Sequence, residues 1–451
     1  MKKKYFNLIV FFIITAAIFV FYNGFQKNYY FSDDFQWVSH AVLVDDSPAE
    51  LFLVRGRDFN PLLTLLFWMV IKVGGLSPLL FRLLCFFCFT GALFMLYYLL
   101  SKYFRVNTTV ALCAVLLCGF NVYISEVVLY LSTFVYALTL LLFFSALKFY
   151  LDGKKVLYIL FMLLAFQVKE TIILTAIPLF LYEKKRNYRL LIVLSSFSIF
   201  LTRFLFQLGS TGSYTHFAGT ENLFYKLYFL ILHPMNISPY AMGSAVGIGL
   251  IVITAVVFAY FLKADRRALF FGSFFAVYIV FFSFLPKLSS KYYFYPSFAF
   301  WGCAALLGNY FYKRSKHTKY VLFGLLILSL LFNYPAVKEE IADYKILGEF
   351  SKNFIELQER IIKSEITIDK EPLELRIHKV NFTPLRSLYS KILERGNMLK
   401  LLPFRKYSIG GLITPTNLIP IIYYPEKIVR WQPVKVTPLY FVGRCIPSAG
   451  D

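Results

Sequence analysis

Two adjacent carboxylates, Asp33 and Asp34, stand just beyond the first apolar run of the chain, within the aromatic-rich segment 31–37. Carboxylates are costly near lipid, so such a pair at a membrane surface calls for a partner, a bound metal ion or a reaction. A solvated polar loop after a membrane anchor would explain the same two residues without any chemistry. The pair is therefore a candidate site whose meaning depends on the rest of the chain.

A second charged pair, Lys169 and Glu170, separates the apolar runs 155–168 and 171–182. Both runs are shorter than the about 20 residues that cross a bilayer, so they are expected to form a hairpin that carries the pair partway into the membrane. An ion pair at that depth must face a cavity or the protein interior. The alternative is a mutual salt bridge with a structural role only.

Several isolated polar residues have two interpretations each. Glu126 begins an apolar span without a basic neighbour, so it either binds a metal ion or substrate, or caps the helix at the interface. His216 lies in a loop rich in glycine, serine and threonine that would close over a substrate, or is an idle exposed histidine. Tyr292 and Tyr293 either contact a substrate or belong to an interfacial aromatic belt.

The composition places these residues in a polytopic membrane protein. The 451-residue chain is 59% hydrophobic, has a mean hydropathy of +0.63, and only 16% of its residues are charged. Soluble proteins carry about 25% charged residues. The net charge of +22 comes from short basic clusters between apolar runs. This arrangement records membrane topology and does not indicate a nucleic-acid partner.

The apolar runs predict eleven transmembrane helices, near residues 5–24, 78–100, 107–123, 127–150, 155–168, 171–182, 190–208, 241–262, 268–285, 296–312 and 319–335. Lysines before the first run place the N-terminus in the cytoplasm. We interpret 60–75 as a juxtamembrane helix, because Gly74-Gly75 and Pro78 interrupt it. With that choice 19 basic residues lie inside and 10 lie outside before residue 336, as the positive-inside rule requires.

The same pattern predicts two domains. Residues 1–335 form the transmembrane domain, with a first outer loop at 25–77. Residues 336–451 form a small extracytoplasmic α/β domain, because they contain more charge and no spanning run. Helical spacing of apolar residues over 337–361 is followed by strand-like runs at 365–369 and 373–378 and a helix start at 383–384.

Five segments of this chain resemble, in order and spacing over residues 1–300, the GT-C glycosyltransferases. These are polytopic enzymes that use polyprenyl-phosphate sugars, and the likeness is greatest to the protein O-mannosyltransferase branch. The segments are Asp33-Asp34-Phe35, Asn60-Pro61-Leu62-Leu63-Thr64 with Gly75-Leu76-Ser77-Pro78, Asn121–Val128, Lys169-Glu170-Thr171 with Pro178, and Lys291–Ser297.

Four residues depart from that branch. Asn121-Val122 stands where close relatives begin with His-Pro, while Lys291 and Phe134 stand where they often carry arginine. The subfamily and the transferred sugar therefore stay open, and 336–451 resembles no domain of that family.

Transfer of a sugar from a lipid phosphate to a hydroxyl needs a base for the acceptor proton and a cation for the leaving phosphate. The resemblance assigns the base to the acidic pair, and position favours Asp33, with Asp34 orienting it, holding the acceptor or acting as the base itself. Arg57, Lys169 and Lys291 are the candidates for the phosphate, and Glu126, Glu170, His216, Tyr292 and Tyr293 for substrate binding.

The sequence and the resemblance together predict an inverting glycosyltransferase that lies in a bacterial inner membrane and acts on the outer face of that membrane. Its expected partners are a polyprenyl-phosphate sugar donor, a hydroxyl acceptor (lipid, glycan or protein) and membrane lipid. The only cofactor considered is a divalent metal ion. The sequence contains no glycine-rich phosphate loop, which favours a lipid-linked sugar donor over a nucleotide sugar donor. The alternatives are a transporter or flippase of lipid-linked sugars and a non-catalytic envelope assembly factor.

Overall fold

A computed structural model describes most of the chain up to residue 362 and six strands beyond it. The described residues are 2–30, 34, 37–38, 41–42, 44–45, 48–52, 60–207, 223–237, 239–285, 290–315, 317–362, 373–378, 398–401, 408–413, 418–423, 428–437 and 440–447.

The described part is mainly helical, as predicted. In chain order the helices are α1 Lys2–Phe21, α2 Pro61–Gly74, α3 Pro78–Lys102, α4 Thr108–Gly119, α5 Glu126–Leu129, α6 Phe134–Leu151, α7 Lys155–Val168, α8 Ala176–Tyr182, α9 Arg186–Gln207, α10 Leu223–Leu232, α11 Pro239–Ala264, α12 Arg266–Ser283, α13 Phe294–Arg314 and α14 Thr318–Ile362. Each of the eleven apolar runs overlaps one of these helices, whereas α10 was not predicted.

Short polar signals set the helix ends. Pro61 and Pro78 occupy the first turns of α2 and α3, where a missing N–H removes no helical hydrogen bond. Gly75 closes α2 with φ of 63°, a conformation that glycine adopts without strain. The predicted helix at 60–75 is thus present. Whether it lies along the membrane or crosses it stays a prediction.

Three described helical segments are long and apolar enough to cross a membrane, namely Pro78–Lys102, Leu131–Leu151 and Thr318–Ala342. Shorter apolar helices fall at the positions of most other predicted spans. These segments support membrane association. The total of eleven spans and the side on which each loop lies stay predictions.

Helix α14 runs through the predicted domain boundary at residue 335. The whole helix is 45 residues long and contains Pro335 in its interior. Beyond the proline, Val337, Ile341 and Tyr344 are buried in the same apolar core as α3, α4, α6 and α13. The helical spacing predicted there is correct, and it joins the second half of α14 to the helical core.

The strands form one antiparallel sheet in the order β1-β6-β5-β4-β3-β2. They are β1 Leu373–His378, β2 Met398–Leu401, β3 Ser408–Ile413, β4 Leu418–Tyr423, β5 Ile428–Thr437 and β6 Tyr440–Pro447. β1 coincides with one predicted strand. The predicted strand at 365–369 and helix start at 383–384 lie outside the described residues, and an outer α/β domain stays a prediction.

Candidate functional site

Asp34 is fully buried and forms an ion pair with Arg82 of α3. The Arg82 Nη2 lies 3.0 Å from the Asp34 Oδ2, and neither side chain is exposed to solvent. The other carboxylate oxygen, Oδ1, accepts a hydrogen bond of 2.9 Å from the backbone N–H of Ser132. Because both carboxylate oxygens accept hydrogen bonds, Asp34 is suited to holding segments of the chain together and poorly suited to accepting a proton.

Arg82 extends this connection to two other segments. Its Nη1 donates to the Leu129 carbonyl at 2.8 Å, and its Nη2 donates to the Tyr29 carbonyl at 2.8 Å. One guanidinium therefore joins the first predicted outer loop, helix α3 and the last residue of the helix Glu126–Leu129 (α5). The planar fork of arginine allows several such bonds at once.

We call residues 126–136 the junction segment, because the remaining candidates meet along it. It contains α5, a 3₁₀ turn at Leu131–Thr133 and the first turn of α6. Glu126 begins the segment and is fully buried. Its Oε2 accepts a hydrogen bond of 3.2 Å from the backbone N–H of Lys291. The second predicted loop is thereby tied to the segment that precedes α13.

Lys291 has no carboxylate partner among the described residues. Among the described residues its ammonium forms no ion pair, and it lies 5.6 Å from the centre of the Tyr292 ring. The Tyr292 ring lies 6.5 Å from that of Tyr136 in the junction segment and 5.0 Å from that of Phe282. A half-buried cation on an aromatic face is a suitable anion ligand.

Lys169 and Glu170 form the mutual pair that the sequence allowed. The Lys169 Nζ lies 3.1 Å from the Glu170 Oε1, and both side chains are mostly buried. They lie where α7 ends and a 3₁₀ turn, Glu170–Thr175, begins. The carbonyl of the next residue, Thr171, accepts a hydrogen bond of 2.9 Å from the Tyr278 hydroxyl, and the Tyr278 ring lies 4.8 Å from that of Tyr295. The Tyr295 ring in turn lies 5.5 Å from that of Tyr136, so a chain of tyrosines connects the turn after the pair to the end of the junction segment.

Tyr293 contacts a different group of rings from Tyr292. Its ring is 4.4 Å from the buried imidazole of His233, edge to face. The same imidazole stacks on Tyr123 with ring centres 3.9 Å apart. Asn121 reinforces this packing, because its Nδ2 donates to the His233 carbonyl at 2.9 Å. Tyr293 therefore serves packing around the second loop, and Tyr292 is the tyrosine next to the Lys291 charge.

The second half of α14, beyond Pro335, reaches the start of the junction segment. The Ser125 hydroxyl contacts the buried Glu340 carboxylate, and the Lys338 Nζ donates to the Asn23 carbonyl at 2.6 Å. The Tyr344 and Tyr130 rings lie 6.4 Å apart. The residues next to Glu126 are thus held by a helix that the sequence interpretation assigned to two domains.

Six predicted site residues converge along residues 126–136. They are Asp34, Glu126, Lys169, Glu170, Lys291 and Tyr292, of which Asp34 meets the middle of the segment and the others its two ends. Asp33, Arg57 and His216 lie outside the described residues. In the described part no three histidine, cysteine or acidic side chains are placed to hold a metal ion, so metal use stays a prediction.

Arg82 is the main residue that the sequence interpretation missed. Its acidic partner is distant in sequence, so no local spacing revealed the pair. A signal was nevertheless present, because a charged residue inside an apolar span usually faces a partner or a cavity. Applied to Pro78–Lys102, this rule identifies Arg82 directly.

Comparisons with known proteins found no matching family model, no matching curated protein and no matching solved structure.

Proposed function

We propose that this protein is an inverting glycosyltransferase that moves a sugar from a polyprenyl-phosphate donor to a hydroxyl acceptor on the outer face of a bacterial inner membrane. The proposal includes eleven spans, a cytoplasmic N-terminus and an extracytoplasmic C-terminal domain. One observation carries it: acidic, basic and aromatic candidates that are far apart in sequence meet along residues 126–136.

This arrangement supports distinct roles for the two first-loop aspartates. Asp34 accepts bonds from both Arg82 and Ser132, so it acts as an anchor. Asp33, its neighbour in the chain, is then the proton acceptor. The acceptor O–H gives its proton to the Asp33 carboxylate as the oxygen attacks the anomeric carbon from the face opposite the phosphate. The bond from that carbon to the phosphate oxygen breaks, and its electron pair leaves with the lipid phosphate.

The charges of the described residues favour Lys291 as the ligand of the leaving phosphate. Lys169 is compensated by Glu170 at 3.1 Å, whereas Lys291 has no carboxylate partner among the described residues. Glu126 fixes the backbone of Lys291 rather than its ammonium. The lysine charge is therefore available for an anion, and a fixed cation stabilises the charge that develops as the phosphate leaves.

A transporter or flippase of lipid-linked sugars would bind the same donor and leave it intact, and an assembly factor would bind without turnover. The test uses the full chain in proteoliposomes with a panel of undecaprenyl-phosphate hexoses and pentoses, together with total envelope lipid and glycan as acceptors. We expect one donor to be consumed, with release of undecaprenyl phosphate and inversion at the anomeric carbon. Movement of an intact donor between leaflets, without consumption, would assign transport instead.

A further inference from the structure

A second lysine, outside the predicted site, is buried without a carboxylate partner among the described residues. Lys226 on α10 has only 8% of its surface exposed. Among the described residues its ammonium makes no ion pair, and its one hydrogen bond, of 2.7 Å, goes to the Leu285 carbonyl. An ammonium has three donors, so two N–H groups stay available.

Burial makes this charge costly. Transferring an ammonium from water into a protein interior carries a desolvation penalty that a counter-charge normally offsets. A single carbonyl at the end of a helix offsets part of it, because α12 ends two residues before Leu285 and helix C-termini attract cations. Capping α12 is therefore the simplest role for Lys226, but it leaves most of the charge uncompensated.

Lys226 and Lys291 meet the same end of α12. Lys226 binds the Leu285 carbonyl, and Tyr292, which lies beneath the Lys291 ammonium, packs 5.0 Å from Phe282 near the last turn of that helix. Helix α10 also packs against α12. Helix α13 begins directly after Tyr293. Two lysines without carboxylate partners in the described part thus border one helix end.

We infer that Lys226 is a further ligand for the anionic phosphate of the prenyl-phosphate donor, acting together with Lys291. This inference rests on the proposed function and adds to it a residue that the sequence interpretation did not single out. The bound phosphate supplies the counter-charge that Lys226 lacks. Two lysines then share the charge of the leaving group.

The test measures binding rather than turnover. Wild-type protein in nanodiscs is titrated with undecaprenyl phosphate, and undecaprenol serves as the uncharged control lipid. Lys226→Met removes both the charge and the Leu285 hydrogen bond. Lys226→Gln keeps a donor for Leu285 and removes only the charge, so it preserves the helix cap and the fold. Lys72→Met, at a half-exposed lysine paired with Asp45, is the matched control.

We expect both Lys226 variants to bind undecaprenyl phosphate about 10- to 100-fold more weakly, the range for one lost bond to a charged group, with Lys72→Met unchanged. Undecaprenol binding should not change in any variant. Unaltered phosphate binding in a folded Lys226→Gln protein would restrict Lys226 to capping α12 and overturn the inference, leaving the proposed function intact. Failure of the wild type to bind undecaprenyl phosphate would contradict both.

Discussion

The Arg82 guanidinium lies 3.0 Å from the Asp34 carboxylate, and both side chains are fully buried. This pair connects α3 to the first predicted outer loop and, through the Leu129 carbonyl and the Ser132 amide, to the junction segment. The pair therefore holds the first predicted outer loop and α3 against the junction segment.

Breaking this pair should destabilise the protein strongly. Asp34→Asn or Arg82→Met strands a buried charge or leaves buried acceptors without donors, which costs about 3–5 kcal/mol for a buried pair. The double variant should recover part of the loss, because no unpaired charge is left. The unfolding temperature of the purified protein in detergent provides the measurement.

The more exposed pair between Lys72 and Asp45 is the matched control, with side chains 51% and 36% exposed. Lys72→Met should change stability by no more than about 1 kcal/mol. Equal shifts for Arg82→Met and Lys72→Met would contradict an anchoring role for Arg82.

Asp33 should be needed for transfer and not for folding. Asp33→Asn keeps the shape and polarity of the side chain but removes the proton acceptor, so the rate should fall by about 10²- to 10⁴-fold. Donor consumption in proteoliposomes provides the measurement, with unfolding temperature as the check on folding. Near-normal turnover in Asp33→Asn would remove the base role from this residue.

The pair between Lys169 and Glu170 should be structural. Lys169→Met alone strands the Glu170 carboxylate and should lower both stability and transfer. The double change Lys169→Met with Glu170→Gln removes both charges and should restore both properties, since Lys291 is the proposed phosphate ligand. Restored stability with transfer still absent would instead make Lys169 the phosphate ligand.

The topology can be tested at two exposed positions. Ala342 lies at the end of a candidate span, next to the Glu340 that contacts the junction segment, and Arg186 begins α9. In a Cys445→Ser background the five remaining cysteines are buried, so an impermeant thiol reagent should label Ala342→Cys in intact cells. Arg186→Cys should react only after permeabilisation. Labelling of Arg186→Cys in intact cells would mean that α2 crosses the membrane.

The helices could be predicted from the sequence because charged clusters and glycine or proline residues bound nearly every apolar run, as at Lys155–Val168. The continuity of α14 could not be predicted from the sequence, because Pro335 and the rise in charge beyond it both suggest a domain boundary. The proline is tolerated, since Val337 and Ile341 bury the following turns.

The candidate site was only partly predictable for a related reason. The order and spacing of short motifs identified Asp34, Glu126 and Lys291 as candidates. Their contacts, however, join residues that are far apart in the chain. Arg82 and Lys226 are single charges within apolar helices, where hydrophobic periodicity gives no signal. Their roles depend on tertiary partners, the Asp34 carboxylate and the Leu285 carbonyl.

The lipid that remains bound to the purified protein tests the central claim most directly. Mass spectrometry of extracts from the wild type should show a polyprenyl phosphate carrying one sugar, which would also identify that sugar. Lys291→Met should lose this lipid, because its ammonium holds the phosphate, whereas Lys72→Met should retain it. Bulk phospholipid alone in all three preparations, with no prenyl phosphate in the wild type, would contradict a donor site at the junction segment.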